Sequence, residues 1–377
     1  MPEQAALLTL GVEEEYLLLD PLTGLPVPLT EKVRAAAGLQ PALSEGEVQP
    51  ELLQAQLEIA TPVCRELAEV GGHLLRLRLA LGEAAQEVGC CLAACGAAPF
   101  AGLEPQPVTE SARYRALHSD APQLIDEQLI NGMHVHVGVP NRAAGVLVLN
   151  RLRPWLPLLV ALSANSPFWQ GHDTGFASWR TLVFGRWPIT GVPPLFADAR
   201  DYDCRIRALQ EARMIRDTGQ LYWQARLSER YPTVEVRAMD VQLRADDAVM
   251  LAGMVRALAV TALRDEECGR PVAVHQPERL AAAGWHAARY GITDGLHDPV
   301  TGRLRKAGDV LTDLVDHLLP ALRAADDARQ VISVLHRMLR DGNGAEQQRR
   351  TARDSGREGL LTMITEQTAA ACEPYGR

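Results

Sequence analysis

Lysine is almost absent from this chain of 377 residues, since it occurs only at Lys32 and Lys306 and every other basic residue is arginine. The formal net charge is −9, and the pI is ≈ 5.6. Surfaces that bind nucleic acid or an anionic membrane need clustered positive charge. The composition therefore argues against nucleic-acid and membrane-surface partners.

The sequence also shows no paired-cysteine motif, no signal-peptide pattern in its first ten residues and no uninterrupted apolar run long enough to span a membrane. The seven cysteines form no C-x-x-C pair, so they predict free thiols in a reducing cytoplasm rather than a disulfide framework or a zinc site. The first ten residues, MPEQAALLTL, have no basic region before a long apolar run, so no signal peptide is expected. The most apolar segment, 146–168, is interrupted by Arg151, Arg153 and three prolines and is not expected to span a membrane.

Neither of the two common glycine-rich nucleotide motifs, G-x-x-x-x-G-K-[ST] and G-x-G-x-x-G, occurs in the sequence. With 47% hydrophobic and 23% charged residues, the composition is that of a globular protein. No internal repeat, low-complexity tract or linker divides the chain. We therefore expect a single domain over 1–377, with a mainly helical C-terminal part from about residue 266.

Helices are predicted where apolar residues recur with helical spacing. Segment 64–89 has such spacing and reads as an amphipathic helix. Asn141 is placed to cap a helix that Pro154 breaks or kinks. Segment 246–267 begins with an acidic turn and predicts another helix.

Five segments alternate with the period of a β-strand: GVEEEYLLL, QAQLEIAT, MHVHVGV, LYWQARLS and TVEVRAMD. Each has one apolar face and one face of carboxylates, imidazoles, amides or guanidinium groups. The polar faces hold Glu13 and Glu15; Gln54, Gln56 and Glu58; His134 and His136; Tyr222, Gln224 and Arg226; and Glu235 and Arg237.

The polar faces are the strongest functional signal in the sequence. A single strand of this kind is equally explained by an antiparallel sheet with one face in water. Together, however, the strands carry the side chains that bind divalent metals and phosphates. Glu13 and Glu15 share a face and repel each other unless a cation lies between them. Glu14 lies on the other face, and the pattern assigns it no role.

A family resemblance rests on five motifs that occur in the order TLGVEEEYLLLD, ELLQAQLEIATPVC, NGMHVHVGVP, LPLLVALSANSPFWQGHDTGFASWR and TVEVRAMDVQ. This set resembles the glutamate–cysteine ligase superfamily, in particular its bacterial carboxylate–amine ligase branch (glutamate–cysteine ligase type 2). The later segments AARYGITDGLHDP and GNGAEQQRR resemble the same branch. The resemblance thus covers nearly the whole chain.

The resemblance implies an α+β fold like that of glutamine synthetase: a curved, mostly antiparallel sheet with the active site on its concave face and helices packed behind. It implies an ATP-dependent ligase with Mg²⁺ or Mn²⁺, which joins a carboxylate to an amine through an acyl phosphate. The implied substrates are glutamate or a similar carboxylate, an amino acid or small amine, and ATP. The family also implies a homodimer, and the amide formed would be a γ-glutamyl bond.

The resemblance further implies roles for individual residues. The positions that match metal ligands are Glu13, Glu15, Glu51, Glu58, His134 and Glu235. Arg237 matches an arginine that touches ATP phosphate or the activated carboxylate. Arg226 and Arg180 are candidates for the same work, although Arg226 could equally form a structural ion pair.

For two histidines the sequence leaves more than one role open. His136 shares the face of His134 and could be a metal ligand, a nucleotide contact or only a polar strand residue. His172 lies in a glycine-containing loop, where it could contact substrate or be a satisfied loop histidine.

One departure from the family pattern concerns the amine. Relatives usually carry an aspartate where this chain has Gln224, and a tryptophan is common where Tyr222 stands. An amide cannot pair with a substrate ammonium as a carboxylate does. We therefore expect Gln224 to contact substrate and the acceptor to be an amino acid or small amine that is not primarily cysteine. Two other classes remain open: a metal-dependent amidohydrolase and a non-catalytic nucleotide-binding relative.

Overall fold

The computed structural model describes residues 8–40, 42–44 and 46–370. The ten-residue N-terminal segment discussed above therefore falls largely outside the described residues, and Cys372 lies outside them entirely. The other six cysteines are free thiols, as expected from their spacing.

Each of the five alternating segments contributes a strand to the main sheet, and LYWQARLS also contributes one to a separate two-stranded sheet. The strands of the whole described chain, in the main sheet and outside it, are β1 Leu10–Leu19, β2 Val48–Pro50, β3 Gln56–Ala60, β4 Cys91–Ala93, β5 Gly132–Gly138, β6 Phe168–Trp169, β7 His172–Asp173, β8 Thr190–Gly191, β9 Tyr222–Trp223, β10 Ala225–Leu227, β11 Thr233–Asp240, β12 Gly295–His297 and β13 Leu304–Lys306. Seven of them make one sheet in the order β10-β11-β5-β1-β3-β2, with β4 also paired to β1. Every neighbouring pair in this sheet is antiparallel. The expected antiparallel sheet is thus confirmed.

Helices make up most of the remaining described residues. They are α1 Thr30–Ala37, α2 Leu67–Glu87, α3 Ala112–Asp120, α4 Pro122–Asp126, α5 Arg142–Leu152, α6 Leu156–Ser163, α7 Trp179–Phe184, α8 Ala199–Glu211, α9 Ala245–Glu267, α10 Pro277–Tyr290, α11 Ala307–Ala324, α12 Ala328–Asp341 and α13 Gly344–Thr368, with 3₁₀ turns at Arg153–Trp155 and Thr218–Gln220. As predicted, the Asn141 side chain caps α5 by accepting from the Ala144 N–H, and the helix is interrupted at Pro154.

The apolar face of the sheet packs against helices. Helices α2 and α9 contact each other and β1, while α5 and α6 contact β11. Val12, Tyr16 and Leu18 of β1 point into this layer and are almost completely buried. Burial of such side chains contributes about 1.5–3 kcal/mol each. The helices therefore fix the sheet from one side and leave its polar face to form a site.

Glu14 has a structural partner on this helix side. Its carboxylate is completely buried and accepts two hydrogen bonds from Arg78 of α2, from Nη2 at 2.5 Å and from Nε at 2.9 Å. Tyr16 donates its hydroxyl to the same carboxylate. Arg78 also donates to the Gln242 and Leu243 carbonyls, both at 2.9 Å. Of the three consecutive glutamates, the middle one therefore anchors the helix layer.

One stretch of the described residues, Arg142–Ser163, is long and apolar enough to cross a membrane. It comprises α5, a 3₁₀ turn and α6, and 83% of its most apolar window is buried inside the protein. That burial is typical of a core segment in a soluble protein.

From residue 277 the described chain consists of α10 to α13 and the β12–β13 hairpin. That residues 1–377 act as one domain stays a prediction.

Candidate active site

A cavity of ≈ 1000 Å³ lies over the polar face of the main sheet. Ten of the twelve residues predicted to form the site line it: Glu13, Glu15, Glu51, Glu58, His134, His136, Arg180, Arg226, Glu235 and Arg237. Gln224 and His172 do not line it.

Strand register brings most of these side chains together. Directly opposite pairs are Glu13 with His134, Glu15 with Glu58, His136 with Glu235, and Arg226 with Glu235. Opposite residues in an antiparallel pair have Cβ atoms only about 4.5–5.5 Å apart. The site is therefore a direct product of the ladder, with one or two polar side chains from each of five adjacent strands.

Two groups of side chains could each hold a metal ion. One consists of Glu13, Glu58 and His134, and the other of Glu13, His136 and Glu235, with ligand atoms within 4.8 Å of one another in each group. Glu13 belongs to both groups. Its Oε2 is 3.2 Å from His134 Nδ1, and its Oε1 is 3.4 Å from His136 Nε2.

The donor set fits a divalent cation. Carboxylate oxygens are the ligands that Mg²⁺ and Mn²⁺ favour. The Nε2 atoms of His134 and His136 are buried and make no hydrogen bond, although buried polar atoms normally have a partner. A cation held by Glu13 and these imidazoles would satisfy them.

Carboxylate crowding and burial raise the pKa of two glutamates in the cavity. Burial, followed by the charges of Glu13, Glu51 and Glu15, raises the pKa of Glu58 well above its usual value. Burial and the charge of Glu15 raise the pKa of Glu51 to about 7. Both carboxyls thus resist ionisation because like charges face one another in a partly dry cavity. A bound cation would remove this cost.

Glu235 has the opposite electrostatic environment. Burial by itself would raise its pKa, but the charges of Arg237 and Arg226 outweigh burial and lower it. Arg226 Nε lies 2.7 Å from Glu235 Oε2, and Arg237 donates to the other oxygen, Oε1. Arg226 also donates to three backbone carbonyls between residues 218 and 221. Arg226 therefore both forms the structural ion pair and lines the cavity.

Arg180 is a buried cation without an ion pair among the described residues. It belongs to α7, whose first turn is capped by Ser178. Its guanidinium lies beside Gly132, where a Cβ would be 2.2 Å from Nη2, and Nη2 donates to the Arg237 carbonyl at 3.4 Å. Its Nε is buried without a partner. Arg180 is thus positioned to bind an anionic group.

Three further predicted residues, Glu15, Glu51 and His136, also line the cavity. Glu15 accepts from the Gly132 N–H at 2.5 Å and lies 3.6 Å from His134 Nε2. His136 Nδ1 is 2.9 Å from the Thr233 hydroxyl, which leaves Nε2 directed at Glu13. Glu15 and Glu51 stand outside the two potential metal groups, whereas His136 belongs to one of them.

The expected positions of Gln224 and His172 in the site are not reproduced. Gln224 falls between β9 and β10, where its N–H donates to Gly191 and its carbonyl accepts from Arg237. His172 is exposed in the short β6–β7 hairpin, which an ion pair between Asp173 and Arg349 fastens to α13. Strand alternation does not give the placement of Gln224, because the strand is interrupted at that residue.

Sequence reasoning placed Tyr222 on a polar strand face but missed the other residues of an aromatic part of the cavity. Its walls are Tyr114, Phe184, Trp187 and Tyr222, which come from α3, α7, the loop after α7 and β9. The ring centroids of Phe184 and Tyr222 are 5.5 Å apart, and those of Trp187 and Tyr222 are 5.2 Å apart. No shared periodicity links these residues, so only the fold brings them together.

Comparison with solved structures defines the class of fold. The glutamate–cysteine ligase of Francisella tularensis, crystallised with AMP, superposes with a TM-score of 0.70 at 13% identity, over 96% of this chain and 88% of that one. A bifunctional glutathione synthetase from Pasteurella multocida gives 0.69 at 12% identity, over 96% of this chain and 52% of that one. The protein has the α+β fold of these enzymes.

Sequence comparison then identifies the family. A family model described as glutamate-cysteine ligase family 2 matches residues 9–373. "Putative glutamate–cysteine ligase 2-2" of Mycolicibacterium vanbaalenii is 44% identical over 365 residues, 97% of this chain and 98% of its own. "Putative glutamate–cysteine ligase 2-1" of Saccharopolyspora erythraea is 42% identical over 346 residues, 92% of this chain and 90% of its own. The chain belongs to glutamate–cysteine ligase family 2, a family of carboxylate–amine ligases.

Proposed function

We propose that the protein is an ATP-dependent ligase that joins the γ-carboxylate of glutamate, or a similar carboxylate, to an amine through an acyl phosphate. One observation carries the proposal: two potential metal groups that share Glu13 face Arg226 and Arg237 within one cavity. A phosphoryl-transfer site needs this combination, because catalysis consists mainly of positioning and charge neutralisation.

The residues that would hold Mg²⁺ or Mn²⁺ are Glu13, Glu58, His134, His136 and Glu235. When bound, the metal neutralises polyphosphate charge and orients the transferred group. Glu15 and Glu51 line the same cavity, and a bound cation would favour the ionised form of Glu51, whose pKa is raised to about 7. The carboxylates therefore bind or neutralise the cation, and none of them needs to act as a nucleophile.

The arginines have a separate task in the proposed reaction. The carboxylate oxygen attacks the γ-phosphorus of ATP, ADP leaves, and the amine then attacks the acyl carbon and expels phosphate. Arg237 is held by Glu235 with part of its guanidinium facing the cavity, where it can pair with the phosphoryl oxygens. Arg226 is fixed by the same carboxylate. Glu235 thus orients both guanidinium groups before substrate binds.

The proposal is tested by following ADP release and amide formation together. Purified protein is incubated with ATP, Mg²⁺, glutamate and a panel of amines, and products are identified by mass spectrometry. We expect one ADP per amide, and neither product when the amine, ATP or the metal is omitted. Amide hydrolysis without ATP would favour an amidohydrolase, and nucleotide binding without turnover would favour a non-catalytic role.

Two further expectations accompany this proposal. A homodimer is implied by the family resemblance, and light scattering on the eluting protein would measure its mass against the 41.1 kDa of one chain. A cytoplasmic location agrees with free cysteines and with ATP as a co-substrate.

A further inference from the structure

The aromatic part of the cavity forms a distinct apolar compartment, which we call the aromatic chamber. It consists of Tyr114, Leu117, Ile125, Phe184, Trp187 and Tyr222, all in one apolar cluster. Trp187 is only 9% exposed, and its indole N–H already donates to Gln128 Oε1 at 3.2 Å. The chamber therefore offers ring faces and aliphatic carbon to a ligand, and such surfaces bind apolar groups.

The chamber lies at one end of the cavity. Gly11 and His136 are paired near the opposite end, where Tyr231 stands edge-on to His136 with ring centroids 6.3 Å apart. Glu15 is four residues further along β1, a distance of about 13 Å at strand spacing. Glu15 accepts from the Gly132 N–H at 2.5 Å, and the Arg180 guanidinium lies between Gly132 and the Phe184 ring, so the chamber adjoins the carboxylate cluster at Glu15. A reacting group at the cluster can thus have substituents at both ends.

Cations border the chamber. The Arg180 guanidinium lies over the Phe184 ring, 5.2 Å from its centroid, and makes no ion pair within the described chain. Arg113 also lines the cavity and pairs with Asp217 at 3.4 Å. These charges disfavour a positively charged side chain in the chamber and favour a carboxylate at its edge.

We infer that the amine substrate is an α-amino acid with a large apolar side chain. Its side chain occupies the aromatic chamber, its carboxylate pairs with Arg180, and its amino group reaches the carboxylate cluster. The nucleotide base then binds toward Tyr231, at the other end. This inference rests on the proposed ligase function and names the amine class for the same site. It also implies that the residues of the chamber, rather than Gln224, determine which amine the enzyme accepts.

The first test is a ranking of acceptors by kcat/KM in the unmodified enzyme. We expect L-phenylalanine and L-leucine to exceed glycine and L-cysteine by about 10- to 100-fold, since that is the effect of burying one large apolar side chain. Equal or better use of glycine or cysteine, with normal ADP release, would overturn the inference and leave the proposed function intact. Absence of ADP with every acceptor would instead contradict the proposed function.

Variants separate the parts of the inferred site. Trp187→Ala and the milder Phe184→Leu should lower the phenylalanine-to-glycine ratio of kcat/KM at least about 5-fold without raising KM for ATP. Trp285→Ala, at an aromatic residue that is 51% exposed and does not line the cavity, is the control. A raised KM for ATP with an unchanged acceptor ratio would show that the chamber holds the nucleotide base and would overturn the inference.

Arg180 and the chamber can also be tested without turnover. Isothermal titration with L-phenylalanine, Mg²⁺ and a non-hydrolysable ATP analogue measures binding directly. We expect Arg180→Met to weaken L-phenylalanine at least about 10-fold and phenethylamine, which lacks the carboxylate, about 2-fold or less. Failure of L-phenylalanine to bind the unmodified protein, or equal weakening of both ligands, would contradict the inference whether or not the protein proves to be a ligase.

Discussion

Glu15 of β1 and Glu58 of β3 are directly opposite each other in the antiparallel ladder at the floor of the cavity. Like charges in this position destabilise a sheet. The pKa of Glu58 is raised by burial and then by Glu13, Glu51 and Glu15. The fold therefore holds carboxylates that repel one another, and a bound cation would relieve this repulsion.

The first prediction follows from that repulsion and concerns metal binding without catalysis. Mg²⁺ or Mn²⁺ at about 100 times its Kd should stabilise the native state by about 2.7 kcal/mol. For a chain of this length the unfolding midpoint should rise by about 3 °C. Differential scanning fluorimetry with and without chelator measures the shift. Glu13→Gln should abolish it, because Glu13 belongs to both metal groups; an undiminished shift in this variant would argue against the assigned site.

The second prediction contrasts two glutamates in metal-free protein. The raised pKa of Glu58 means that the folded protein binds a proton at this carboxyl more tightly than the unfolded chain does. The stability that this proton contributes is lost as pH rises. Glu58→Gln should therefore be neutral or stabilising at pH 8. Glu235→Gln should lower the free energy of unfolding by about 2–3 kcal/mol, since it leaves Arg226 and Arg237 without their carboxylate. Urea unfolding of both variants in chelator provides the comparison. Equal destabilisation would contradict the electrostatic account, although both variants should lose turnover.

A third prediction concerns Arg237. Arg237→Lys should reduce kcat by ~10³, because a lysine has no second nitrogen with which to keep the Glu235 contact while pairing with a phosphoryl group. Steady-state ADP release with saturating substrates measures the loss. Arg216→Lys, at an exposed arginine paired with Asp120, is the matched control and should remain within about 2-fold. A near-normal kcat for Arg237→Lys would remove Arg237 from the proposed mechanism.

The fourth prediction concerns stability behind the sheet. Arg78→Met should cost about 3–5 kcal/mol, because it leaves Glu14 as a buried charge without its partner. Glu31→Gln, which breaks an exposed ion pair with Arg34 in α1, should change stability by less than about 1 kcal/mol. Chemical denaturation of the two variants compares them directly. A small effect at Arg78 would mean that the buried pair does not hold α2 to the sheet.

Gln224 supplies a fifth prediction. Because its side chain does not line the cavity, Gln224→Asp should change the relative kcat/KM for cysteine and other amines by less than about 2-fold. A clear shift toward cysteine would restore Gln224 as a specificity residue, as the family comparison first suggested.

Sequence periodicity could predict the polar face because side chains alternate strictly in a continuous strand. Glu13, Glu58, His134 and Glu235 come together for that reason. Alternation failed at Gln224, where two short strands replace one.

Other parts of the structure depend on contacts that no local pattern contains. Arg78 is 64 residues from Glu14, so their pairing follows only from the packing of α2 on β1. The aromatic chamber likewise combines Tyr114, Phe184 and Tyr222 from three separate elements. Tyr114 and Phe184 are unremarkable in their own segments, and Tyr222, although alternation places it on a polar face, joins them only through tertiary structure.

The most direct test of the ligase account uses glutamate labelled with ¹⁸O in its γ-carboxylate. If the carboxylate attacks the γ-phosphorus of ATP, one labelled oxygen must leave with phosphate when the amide forms. We predict one ¹⁸O in inorganic phosphate per amide and none in ADP, as measured by mass spectrometry. Label in AMP, or amide formation with unlabelled phosphate, would contradict the acyl phosphate mechanism.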